Sequence, residues 1–172
     1  MAHLTLILGG ARSGKSARAL ALAEAAAPPG QRVFVATAEA LDDEMADRIA
    51  RHKAERGDGW ALDEAPLALA EAVSGAATAD GVLLIDCLTL WLSNLMHHER
   101  DVAVETERLL DAVAGAPGAV ICVSNEIGMG LAPMNALGRA FRDAQGRLNE
   151  RVAAVSDRVE FVAAGLPLTL KG

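Results

Sequence analysis

Residues 4–26, LTLILGGARSGKSARALALAEAA, place the tightest constraint on what the chain can fold into. Leu4–Leu8 reads as an apolar strand, Gly9–Ser16 has the spacing G-x-x-x-x-G-K-[ST], and Ser16–Ala27 reads as an alanine-rich amphipathic helix. Strand, glycine turn and helix in this order aim backbone N–H groups and the positive end of a helix dipole at one point, the geometry that holds a diphosphate. Gly9, Gly10, Ala11, Arg12, Ser13, Gly14, Lys15 and Ser16 are therefore the first candidate nucleotide-binding residues. Lys15 would reach the β- and γ-phosphates, and the Ser16 hydroxyl would ligate Mg²⁺. The spacing does not say which phosphate is held or what is done with it.

The rest of the chain repeats the alternation. Apolar runs at Arg32–Thr37, Gly81–Asp86, Ala119–Ser124, Val159–Ala163 and Leu166–Leu170 read as strands. Between them, Asp42–Arg56, Thr89–Glu99, Val102–Ala114 and Asn135–Val155 read as helices, as does PLALAEAVSGAA from Pro66 onward. Strands that are apolar on both faces, separated by helices, predict an α/β fold with a mostly parallel sheet covered by helices on both sides. At 172 residues, with no repeat, low-complexity tract or linker, residues 1–172 are expected to form a single domain.

Charge narrows the class of partner. A net charge of −7, with cations and anions interspersed, argues against a nucleic-acid or acidic-lipid surface and favours a small-molecule partner. Cys87 and Cys122 fall in or beside buried-strand runs with no metal-ligand spacing, so they are expected to be reduced core thiols. No segment approaches the ~20 apolar residues of a membrane helix, and no basic, then apolar leader precedes Gly9. A cytoplasmic location is the expectation.

Two further features carry possible chemistry. GVLLIDCLTLW places Asp86 after an apolar strand, where a carboxylate can enter the Mg²⁺ shell directly or through water; alone it could equally be a strand-end cap. In LDDEMADRIARHKAERGDGW, Arg48, His52 and Arg56 recur every four residues and share one helical ridge, with Met45 and Ile49 on the neighbouring ridge. A histidine between two cations suits an anionic ligand, and the flanking charge favours its neutral, nucleophilic form. Spacing alone is also satisfied by a solvated helix face. His3, His97 and His98 have less to recommend them, the last two sitting where a cation complements a helix end.

Four blocks carry a family resemblance: GGARSGKS, VATAEALDDEMADRIARHKAERGDGW, LLIDCLTLWLSNLM and VSNEIGMGLAPMNALGRAFRDAQGRLNERVA. In that order they resemble the motifs of the bifunctional adenosylcobinamide kinase / adenosylcobinamide-phosphate guanylyltransferase family of cobalamin (vitamin B12) biosynthesis. The match runs from about residue 4 to the terminal GLPLTLK. Its most specific parts are R-I-x-x-H-x-x-x-R-x-x-x-W-x-x-x-E, on Arg48, Ile49, His52, Arg56, Trp60 and Glu64, and N-E-x-G-x-G-x-x-P-x-N, from Asn125 to Asn135.

The resemblance implies a RecA-like P-loop fold and a homo-oligomer, with a trimer as the family form. It implies that His52 is the covalent catalytic residue beside Lys15, that Ala36, Thr37 and Ala38 form a nucleotide-contacting strand end, and that Lys53, Ala54, Glu55, Arg56, Glu64 and Asp86 complete the nucleotide site. Ser16 and Asp86 would hold Mg²⁺. Arg51 stands where some members carry a second histidine, Met134 where an acidic residue is expected, and Glu150 where glutamine is usual; the last two bear on the corrinoid side. The implied substrates are GTP, ATP, adenosylcobinamide and its phosphate. The implied reactions are phosphorylation of adenosylcobinamide and guanylyl transfer from GTP, through a GMP-histidine, to give adenosylcobinamide-GDP. Two other readings fit a phosphate loop: a nucleotide-binding switch or regulatory ATPase, and a small-molecule kinase with another acceptor. Neither predicts covalent labelling of the protein by GTP.

Overall fold

Strands that must bury both faces belong in the middle of a layered sheet, and the most apolar runs lie there. The computed structural model describes residues 4–39 and 59–172. In these residues the elements run β1 (Leu4–Gly9), α1 (Lys15–Ala26), β2 (Arg32–Ala36), β3 (Trp60–Glu64), α2 (Leu69–Ala76), β4 (Val82–Asp86), α3 (Leu88–His97), α4 (Val102–Gly115), β5 (Ala119–Asn125), α5 (Ala136–Val155), β6 (Arg158–Ala163) and β7 (Leu166–Lys171). The strands form one sheet in the order β3-β2-β4-β5-β1-β6-β7. Every pairing is parallel except β6 with β7. That exception follows from a two-residue turn, Ala164 (φ 51°) and Gly165 (φ 77°), because left-handed angles at both turn positions match the twist of an antiparallel hairpin.

The sheet divides the core in two. On one face α1 sets Ala19 and Ala23 against Ile7, Leu84, Ile121, Val123 and Val162; its alanines bring the helix close to the strands. On the other face α2, α3, α4 and α5 pack around Leu6, Leu83, Ile85 and Val120, with Trp91 fully buried among them. Burying a side chain of that size contributes on the order of 1.5–3 kcal/mol. The expectation of helices on both faces is met.

Three sequence readings differ from the structure or fall outside it. The expected helix Asp42–Arg56 lies outside the described residues. Trp60–Glu64, which the apolar pattern does not mark as a strand, is the edge strand β3, pairing in parallel with β2 from Arg32↔Trp60 to Ala36↔Glu64. One neighbouring strand is enough there, so the run keeps polar and exposed positions that hide its period. The helix expected from Pro66 begins only at Leu69. The Pro66 carbonyl accepts from Asn94 Nδ2 (3.0 Å) and the Leu67 carbonyl from Trp91 Nε1 (3.0 Å), so α3 side chains hold this approach.

Candidate functional site

The chain leaves β1 and β5, two adjacent strands, toward opposite faces of the sheet: α1 follows β1 on one side and α5 follows β5 on the other. Where neighbouring parallel strands part in this way, a crevice opens beyond their carboxyl ends, the usual ligand position in open α/β sheets. Gly9 pairs with Asn125 at this edge, and the Glu126 N–H donates to the Gly9 carbonyl at 3.0 Å. The phosphate loop begins at that point.

Its glycines are there for space and for backbone angle. A Cβ on Gly9 would lie 2.5 Å from both Ser13 Oγ and the Val162 carbonyl oxygen. Gly14 takes φ +97°, and a Cβ there would also come 3.0 Å from Gly165 Cα. Arg12 adopts φ 55°, an uncommon angle for a non-glycine residue, with its side chain exposed. The Ser13 N–H closes the turn onto the Gly10 carbonyl (3.3 Å), Lys15 Nζ donates to the same carbonyl (2.8 Å), and the Gly165 N–H donates to the Ser13 carbonyl (2.8 Å). Gly14 caps α1 with no side-chain hydrogen bond, so no cap side chain occupies the first amides. Ser13 Oγ is buried without a hydrogen-bond partner among the described residues.

Asp86 sits at the end of β4, opposite Ala36 on β2 and Val123 on β5. The backbone around it is fastened by Thr37: its hydroxyl donates to the Cys87 carbonyl (2.7 Å) and accepts from the Cys87 N–H (2.8 Å), while its own N–H donates to the Asp86 carbonyl (3.3 Å). Asn94 Nδ2 donates to the Thr37 carbonyl at 2.7 Å, tying this edge to α3. Thr37 is fully buried, so it is a fastener of the β2 and β4 ends. Burial pushes the Cys87 thiol up to about 11; the Asp86 charge adds to the rise and the Lys15 charge opposes it, which puts both groups within electrostatic reach of one sulfur. Burial alone takes Cys122 to about 12. Both cysteines are free and buried, as expected.

The structure brings Gly9–Ser16, Ala36–Ala38, Glu64 and Asp86 to the same carboxyl-terminal edge of the sheet. Glu64 is exposed at the end of β3, and the Ala65 N–H returns to the Ala36 carbonyl at 2.8 Å. His52, Lys53, Ala54, Glu55 and Arg56, with Arg48, lie outside the described residues. Ser16 and Asp86 offer hard oxygen donors, the chemistry Mg²⁺ requires. Among the described residues no three His, Cys, Asp or Glu side chains form a metal cage.

One polar cluster was not anticipated. Gln145, fully buried on α5, donates to Ser124 Oγ and Asn149 Oδ1, each at 3.0 Å; Ser124 Oγ donates to Asn149 Oδ1 (2.6 Å), and Asn149 Nδ2 to the Asn125 carbonyl (3.0 Å). It holds the end of β5 beside the loop. The visible signal was two amides, at 145 and 149, on the buried stripe completed by Leu148 and Val152.

A phosphate loop at the carboxyl-terminal edge of a mostly parallel sheet defines the class: an α/β P-loop protein. Within that class, residues 5–170 match the family model described as cobinamide kinase / cobinamide phosphate guanyltransferase, and the chain belongs to that family. It is 47% identical over 170 residues to the bifunctional adenosylcobalamin biosynthesis protein CobP of Pseudomonas aeruginosa, covering 97% of this chain and 96% of the relative. Proteins named bifunctional adenosylcobalamin biosynthesis protein CobU, from Salmonella typhimurium and Escherichia coli, are 37% and 34% identical, each match spanning 98% of this chain and 99% of the relative.

Proposed function

We propose that this chain carries both activities of its family. In the first, the aminopropanol hydroxyl of adenosylcobinamide attacks the γ-phosphorus of ATP or GTP, the bond to the β–γ bridging oxygen breaks, and the nucleoside diphosphate leaves with the hydroxyl proton released. The chain's part is to position groups and neutralise charge, through Lys15 and the loop amides. Ser16 and Asp86 would hold Mg²⁺, which supplies charge stabilisation on the phosphates when bound. In the second, neutral His52 attacks the α-phosphorus of GTP and pyrophosphate leaves. A phosphate oxygen of adenosylcobinamide phosphate then displaces the histidine nitrogen, giving adenosylcobinamide-GDP. Splitting one displacement into two lowers each barrier, and neutral imidazole is a competent nucleophile.

The observation that carries this reading is a phosphate loop seated where β1 and β5 end at the carboxyl-terminal edge of the sheet, in a chain whose family is named for both reactions. Lys53–Arg56, Glu64 and the strand end at Ala36 and Ala38, held in place by Thr37, complete the proposed nucleotide site. The enzyme is proposed to be cytoplasmic and trimeric. Oligomerisation is supported by the apolar side of β7, where Leu166, Leu168 and Leu170 are 73%, 61% and 57% exposed. Incubation with [α-³²P]GTP tests the covalent step: an acid-labile, base-stable label on the protein is expected, whereas reversible binding alone would indicate a nucleotide switch or a plain kinase.

A further inference from the structure

The phosphate loop and the first turn of α1 meet the β6–β7 hairpin at three points. The Gly165 N–H donates to the Ser13 carbonyl at 2.8 Å. Gly9 is pressed against Val162, whose carbonyl oxygen would lie 2.5 Å from any Cβ there. Arg18, one turn into α1, makes a two-pronged bond to the fully buried Glu160 on β6, at 2.8 and 2.9 Å. The C=O and N–H of a trans peptide point in opposite directions, so a bond that draws the Ser13 carbonyl toward the hairpin turns the Gly14 N–H away from it. Gly14 is the last loop residue before α1, where amides serve as phosphate ligands.

We infer that Gly165 is a positioning residue for the phosphate loop: its backbone amide fixes the Ser13–Gly14 peptide in the orientation that presents the Gly14 N–H to the nucleotide. The inference rests on the proposed nucleotide site. Two features support a role beyond closing a hairpin. Gly165 has open space around a would-be Cβ, so its φ of +77° is its sole steric demand for glycine, and the N–H it offers goes to the loop. Ser13 is more than nine-tenths buried and its hydroxyl finds no partner among the described residues, so its position in the loop is held by main-chain bonds.

Three versions of the full chain test this with a fluorescent GTP analogue, both activity assays and thermal denaturation. Gly165→Val cannot hold the left-handed angle, whereas Gly165→Asn tolerates it. An amide-to-ester replacement at 165 keeps the turn and deletes the N–H alone, so it decides the matter even if the valine variant does not fold. Loss of one such hydrogen bond should weaken GTP binding roughly five- to ten-fold in the ester variant. KM for nucleotide should rise in both reactions, KM for the corrinoid should stay unchanged, and Gly165→Asn should bind nearly as the unsubstituted protein does. Normal GTP affinity in a folded ester variant, whatever its melting temperature, would overturn the inference alone. Failure of the unsubstituted protein to bind GTP would overturn the nucleotide-site reading and the inference with it.

Discussion

At the scale of single residues the proposed chemistry depends on a few groups at one sheet edge, and each makes a separable prediction. Lys15 donates to the Gly10 carbonyl within the loop and is placed to turn toward a β- or γ-phosphate. Lys15→Ala should lower both activities by about 10³-fold with the fold intact, the scale on which preorganised charge acts at a transition state; a near-normal rate of either product would detach that reaction from this loop. Asp86→Asn keeps the shape and removes the charge, so the Mg²⁺ concentration for half-maximal rate should rise with little change in the melting temperature. An unchanged Mg²⁺ dependence would leave Asp86 a strand-end residue. With thiols pushed up to about 11 and about 12 and both buried, Cys87 and Cys122 should react with a thiol reagent near pH 8 only as the protein unfolds.

At the scale of elements, β6 links the phosphate end of the molecule to its acid stability. The Arg18 hydrogen bonds, reinforced by Arg158, hold the Glu160 carboxyl below its ordinary value of 4.5. A carboxylate whose folded value is depressed stabilises the fold above its unfolded value, and that stability is lost as pH falls through the folded one. The melting temperature should therefore drop steeply below about pH 4.5, and Glu160→Gln should flatten that limb while costing about 1–3 kcal/mol near neutrality, because Arg18 loses its acceptor. An acid limb of unchanged steepness would move the effect elsewhere. Elements were legible in proportion to their burial. β1, β4 and β5, apolar on both faces, declared themselves by composition; the starts of α4 and α5 fell where expected, and there the Asp101 and Asn135 side chains accept from the helix amides. Edge strand β3 did not declare itself, because one exposed side permits Asp63 and Glu64 in a strand. Pro66 misled because its carbonyl is bound by a side chain from another element, and no local pattern reports such a bond.

At the scale of the whole molecule, strand alternation predicted the parallel sheet, while strand order and the antiparallel β7 emerged only from how the chain crosses between faces. The same division applies to the site. Glycine spacing announced the loop and the family motif named Thr37, but the contacts of Gly165 with the loop and of Gln145 with the end of β5 are distant in sequence: Gly165 acts by a backbone amide that any residue type possesses, and Gln145 is an ordinary polar side chain. The proposed function rests on His52 having a task in only one of the two reactions, since phosphoryl transfer to a hydroxyl needs no covalent intermediate and guanylyl transfer as proposed does. The direct test is His52→Ala assayed for both products and for labelling by [α-³²P]GTP. The predicted result is loss of the label and of adenosylcobinamide-GDP formation, with ATP-dependent phosphorylation of adenosylcobinamide still measurable. Equal loss of both activities in a folded variant, or a label that persists, would contradict it.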